Sequence, residues 1–114
     1  MELESFELVL LRRPANPAQY DEATFDGIQR AHLAYHATLR VSGDIVTNGP
    51  VTDQRDEAFR GLTIYRAGSL ERARGLAEAD PAVRAGRLEI EAMHWLCPPT
   101  TMRLHGRTVS LDND

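Results

Sequence analysis

Lysine is missing from this chain of 114 residues, and arginine supplies all thirteen of its basic side chains. With seventeen acids the formal net charge is −4, which argues against nucleic acid and anionic membranes as partners. The one cysteine, Cys97, cannot form an internal disulfide, and no Cys-x-x-Cys pair offers a metal ligand set. Long apolar runs are lacking too. The opening "MELESFELVLLRRP" starts with acids and has only a short hydrophobic stretch, so neither a signal peptide nor a membrane span is expected. A cytoplasmic protein is the expectation. The arginine-only basic set fits a GC-rich coding bias, and a second reading is a need for planar cations that grip carboxylates.

What remains is an ordinary soluble composition, 42% hydrophobic and 26% charged, in a length that holds one core. "SFELVLLRR" (5–13) is apolar on both faces, as a central strand should be, and "PANP" stops it. A helix follows from 21 to 41, opened by Asp21 and Glu22 and closed at Ser42–Gly43. Its apolar stripe runs Phe25, Ile28, His32, Tyr35, Leu39 at 3-4-3-4 spacing. "DIVTNGPV" (44–51) reads as a short strand ending in a turn shaped by Gly49 and Pro50, and "FRGLTIYRA" (59–67) as the next strand. "SLERARGLAEADP" (69–81) is the second helix with Ser69 as N-cap, and "RLEIEAMHWLC" (87–97) the last strand.

The order βαββαβ predicts an α+β, ferredoxin-like domain over 1–97, with a four-stranded antiparallel sheet and both helices on one face. Val9, Leu11, Tyr65, Met93 and Trp95 are expected on the other face, where a second copy of the chain would cover them. Residues 98–114 form an extension, with a small hairpin expected about His105–Gly106.

His32 and His36 have the spacing of a helical metal pair, but Leu33 stands where the zinc-protease motif needs Glu. No carboxylate nearby in sequence completes a ligand set, so no metal is expected. His32 lies in the apolar stripe and points inward; His36 sits beside it and is expected to be partly solvated. An inward imidazole needs a partner, since a buried polar group left unpaired costs about 1–3 kcal/mol. Asp80 is a candidate: it ends the second helix, where a carboxylate is disfavoured by the dipole, although Asp-Pro also starts many turns. If Asp80 faces His32, the carboxylate holds the imidazole's tautomer, and proton transfer is the natural chemistry. Neither serine nor cysteine sits in a nucleophile context.

"FELVLLRR", "QRAHLAYHATLRVSGDIVTNGPV", "FRGLTIYRAGSLERARGLAEADP" and "GRLEIEAMHW", in that order and spacing, resemble the YCII-related family over about residues 5–97. The resemblance implies a dimeric α+β barrel of two ferredoxin-like protomers with a site centred on a His and an Asp, here His32 and Asp80. It implies lyase, dehydrochlorinase or isomerase chemistry on small, often aromatic-derived acids, without metal or organic cofactor. Two departures stand out, a long "RPANPAQYDEATFDG" segment and the tail after Cys97; "AVRAG" also replaces the family's aromatic after Asp-Pro. The expectation is therefore a small acid–base enzyme acting on a carboxylated or enolisable compound. His32 moves the proton and Asp80 orients it; Arg55 and Arg60 hold the substrate's anion, and Tyr35, His36 and Trp95 line the cavity. The rival is a non-catalytic dimer that binds a small molecule or serves as an accessory subunit.

Overall fold

Two apolar faces put the first strand in the interior of a sheet, and a computed structural model of the chain has that arrangement. The structure describes residues 1–103 and 106–111. The elements are β1 (Glu4–Arg12), α1 (Glu22–Ser42), β2 (Ile45–Pro50), β3 (Phe59–Tyr65), α2 (Leu70–Glu78), α3 (Pro81–Arg84) and β4 (Glu89–Cys97). The sheet is antiparallel in the order β2-β3-β1-β4, the ferredoxin-like α+β topology, with the helices packed on one face. Asp21 caps α1 by accepting the Thr24 N–H at 2.7 Å, and Gly43 closes it at φ 87°, a left-handed value that favours glycine.

The face assignment predicted for β1 is reversed. Val9 pairs with Thr63 and Ala92, and Leu11 with Gly61 and Ile90, so the two-residue side-chain period puts all of these on the helix face. There Val9, Leu11, Ile45 and Tyr65 form the core with Leu39 of α1 and Ala73 and Ala77 of α2. The small alanines let α2 lie close to the strands. Glu7 shares this face and is buried, its carboxylate accepting the Ala67 N–H at 2.7 Å. The outer face instead carries Phe6, Leu8, Leu10, Leu62 and Ile64, together with Met93 and Trp95 as expected.

Asn48, Gly49 and Pro50 are strand residues rather than a turn: they pair with Thr63, Leu62 and Gly61. Proline is tolerated because β2 is an edge strand, where a missing N–H breaks no inner ladder. Gly61 has a specific reason to be glycine. A Cβ there would stand 2.8 Å from the Gly49 carbonyl oxygen and 3.3 Å from the Pro50 Cα, both backbone atoms that cannot swing aside. Gly61→Ala should therefore cost about 1–3 kcal/mol, read as a lower urea midpoint at unchanged m-value.

The extension does not project away. Met102 packs on the outer-face cluster of Phe6, Ile64 and Cys97, and the Thr100 N–H donates to Glu4 Oε1 at 3.1 Å. The hairpin expected about His105–Gly106 lies partly outside the described residues, and 106–111 contain no strand. None of the described helices is long and apolar enough to cross a membrane.

Candidate active site

The helix stripe, the sheet's inner face and the turn after α2 converge on one hollow of about 320 Å³. That is the lower end of the range for small-molecule sites, roughly 300–1,000 Å³, and suits a compound of about one ring. Leu11, Phe25, Ile28 and Leu88 give it apolar walls, with Gly49, Pro50 and Gly61 along the strand side. Phe25 and Ile28 belong to the predicted stripe, but they border the hollow rather than the core, and Phe25 stays 37% exposed.

Asp80 is completely buried and does not cap the end of α2. α2 stops at Glu78, and Asp80 adopts non-helical angles as the N-cap of α3, with Pro81 at the first helical position. Its Oδ1 accepts the Ala82 N–H at 2.9 Å. The unfavourable dipole inferred from the sequence is thus replaced by a cap. His32 Nδ1 lies 2.7 Å from Asp80 Oδ2 and 3.0 Å from Oδ1, and His36 Nε2 approaches the same Oδ2 at 3.2 Å. Burial alone would raise the Asp80 pKa. The hydrogen bonds from His32, His36 and Ala82 outweigh burial and hold the carboxyl well below the usual carboxylate range.

His36 is the deeper histidine, with 2% of its side chain exposed against 12% for His32, so the expected partial solvation is corrected. Asn48, which the pairing of β2 with β3 brings to the Nδ1 edge of the ring, closes that side. Arg40 Nη1 donates to Asn48 Oδ1 at 2.5 Å, and a guanidinium has no acceptor, so this fixes which way the amide points. Asn48 Nδ2 must then donate to His36 Nδ1, 3.0 Å away. With Nδ1 accepting, the His36 proton sits on Nε2 and faces Asp80. His32, by contrast, donates through Nδ1, which leaves its Nε2 without a partner among the described residues, on a side chain that lines the hollow. One proton is locked and the other site is open. Long-range ¹H–¹⁵N spectra of the neutral imidazoles should show Nε2–H for His36 and Nδ1–H for His32; the same tautomer at both would contradict this network.

Asp80 also supplies in space the carboxylate that the sequence neighbourhood of the histidines lacks. Ligand atoms of His32, His36 and Asp80 all lie within 4.8 Å of one another, the one such grouping among the described residues. The closest contact is a hydrogen bond, however, because nitrogens and oxygens around zinc stand about 3.3 Å apart when bonds are about 2.0–2.1 Å. At 2.7 Å, His32 and Asp80 stand at the distance of a shared proton.

Of the other predicted residues, Arg60 borders the hollow and Arg55, Tyr35 and Trp95 do not. Arg55 is an exposed residue of the β2–β3 loop. Tyr35 turns toward α2 and donates to the Leu76 carbonyl at 2.7 Å, and burial, with the Asp80 charge, pushes its phenol up. Trp95 pairs with Phe6 on the outer face, on the far side of the sheet. Arg13, Arg87, Gln29 and Asn48 border the hollow and were missed. A partial signal existed for Arg13, which follows the last residue of a central strand, where side chains meet a ligand.

The long segment between β1 and α1 and the "AVRAG" turn meet at this site. Ala18 N–H donates to Gly86 O at 3.0 Å, the Tyr20 hydroxyl to Ala85 O at 2.8 Å, and Arg87 Nη1 to Ala18 O at 2.6 Å.

The model of the YCII-related domain family matches residues 8–95, and the chain belongs to that family. Among solved structures it is similar to the 5-chloro-2-hydroxyhydroquinone dehydrochlorinase TftG of Burkholderia phenoliruptrix AC1100, in complex with 2,5-dihydroxybenzoquinone. That likeness has a TM-score of 0.56 at 23% identity, covers 79% of this chain and 92% of the other, and concerns the fold. A search of the curated proteins finds no match.

Proposed function

We propose that this chain is a small enzyme that moves a proton on a single-ring or similarly small compound, carboxylated or aromatic-derived, in a lyase, dehydrochlorinase or isomerase reaction. One observation carries the reading: an imidazole held through Nδ1 by a buried carboxylate, with Nε2 free beside an open hollow. A carboxylate in that position keeps the accepting nitrogen toward the substrate and steadies the imidazolium once it forms. Loss of hydrogen chloride, the reaction in the name of the structural neighbour, removes a proton and a chloride, and such a pair can serve the first of these. His32 is the proposed base, Asp80 its orienting partner, and His36 with Asn48 the support that keeps Asp80 in place. The reading draws on the chain's own groups and asks for no metal or organic cofactor. An open hollow of ligand size favours it over a non-catalytic accessory subunit, for which a filled interior would be expected, and the His32–Asp80 pair beside that hollow favours it over a dimer that only binds a small molecule.

The working unit is taken as residues 1–97, with 98–114 as an extension, in a cytoplasmic protein. A second copy of the chain is the proposed cover for Leu8, Leu10, Leu62, Met93 and Trp95 on the outer face.

The test is a panel of chlorinated and hydroxylated quinols and enolisable acids incubated with the protein in deuterium oxide. Chloride release, or entry of deuterium at a carbon, supports the reading. Binding without either, across the panel, supports the non-catalytic dimer that binds a small molecule.

A further inference from the structure

We infer that Arg87, with Arg13 and Arg60, forms an oxyanion-binding wall that selects a carboxylate- or phenolate-bearing substrate. The inference rests on the acid–base reading of the same hollow and adds to it the residues that recognise the substrate's anion. Arg13, Arg60 and Arg87 all border the hollow, and among the described residues no aspartate or glutamate does. Among the described residues none of the three has a carboxylate within ion-pairing distance; the arginine pairs formed are Arg12–Asp56 and Arg72–Asp44, both elsewhere. In a chain of net charge −4 this is a local concentration of positive charge, focused where the walls are apolar.

Arg87 is the anchor. Its guanidinium carbon sits 4.7 Å from the centroid of the Phe25 ring, and one donor is tied to the Ala18 carbonyl at 2.6 Å. Stacking and that bond fix the plane of the fork, so little rotamer freedom is lost when an anion arrives. Its Nε is buried and finds no acceptor among the described residues. A buried donor without a partner is uncommon in a folded protein and costs about 1–3 kcal/mol. With one Nη1 donor tied to Ala18 and Nε closed off from solvent, the terminal donors left over are the ones that can meet the oxygens of a carboxylate, or a phenolate oxygen beside a second hydroxyl. An anion seated there presents the rest of a one-ring compound to the apolar walls and to His32 Nε2.

The test is titration of the ¹⁵N-labelled protein with benzoate and with its neutral counterpart benzamide. Benzoate should bind at least about ten-fold more tightly than benzamide, with shifts at the amides of Gly49, Gly61 and Leu88. Arg87→Met, which keeps an apolar stem against Phe25, should weaken benzoate at least about ten-fold and leave benzamide unchanged. Arg13→Met, at an exposed position that threatens no core packing, should weaken it by a smaller factor and keeps the test decisive should the Arg87 variant fold poorly. Arg66→Met, away from the hollow, should have no effect. Equal binding of benzoate and benzamide, or benzoate affinity indifferent to Arg87 and Arg13, overturns the proposal. His32→Ala should keep benzoate binding within about three-fold, so the two readings fail separately. Deuterium exchange on neutral substrates without benzoate preference would sink the anion wall alone, and arginine-dependent benzoate binding without turnover would sink the acid–base reading alone.

Discussion

His32→Ala should lower turnover on the order of 10²–10⁴-fold, the usual worth of a positioned acid or base, and leave the fold intact. The argument is one of geometry. His32 lines the hollow, its Nε2 is unengaged, and its removal still leaves Asp80 with the Ala82 N–H and His36 Nε2. The lost hydrogen bond should lower stability by about 1–2 kcal/mol, too little to unfold a domain of this size. The measurement is kcat on whichever compound the panel identifies, alongside circular dichroism and a urea midpoint. An unfolded His32→Ala protein would make the imidazole a packing residue; a folded variant with full activity would remove His32 from the mechanism.

Asp80→Ala should have the larger effect on stability, about 3–5 kcal/mol, because it strips the shared acceptor from three N–H donors around a buried position. Asp80→Asn should fall between the two, since one carbonyl oxygen cannot serve all three donors. The same carboxylate makes stability depend on acid. Its folded pKa is depressed, so its contribution is complete above about pH 4, where an unfolded aspartate is also ionised. The contribution is lost progressively as pH falls below that. Urea midpoints of the wild type should drop from pH 5 to pH 3, and those of Asp80→Asn should drop less. Parallel curves would show that Asp80 carries no linked proton.

The elements were legible because each is written in a period the backbone imposes. Ser69 announces its cap, Asp21 marks the start of α1 although it caps that helix rather than sitting in its first turn, and the apolar stripe of α1 needs no tertiary knowledge. The facing of the sheet was not legible. Phe6, Leu8 and Leu10 alternate with Val9 and Leu11, so both sides of β1 look like core, and only the register against β4 decides which meets the helices. Glu7 made the true inner side look wet, and its partner, the Ala67 N–H, lies sixty positions away. The nearness of His32 to Asp80 rested on the family resemblance, since forty-eight positions separate the two residues. Asn48 and the burial of His36 had no such guide. They follow from strand pairing that puts the end of β2 over α1, a relation absent from any local pattern. Arg87 was hidden for the same reason, being brought to the hollow by the turn after α3.

The edge position of β4 bears on how the protein behaves at high concentration. Among the described residues, one side of this nine-residue strand has no neighbour within the sheet, so its outward backbone groups can template another chain. Glu89 and Glu91 place charge along its first half, the usual guard against such addition. His94, Trp95 and Leu96 carry no comparable guard in the second, and Trp95 and Leu96 are exposed. Precipitates of a weakened variant should grow from that half, and a lysine in place of Leu96 is the natural remedy for solubility.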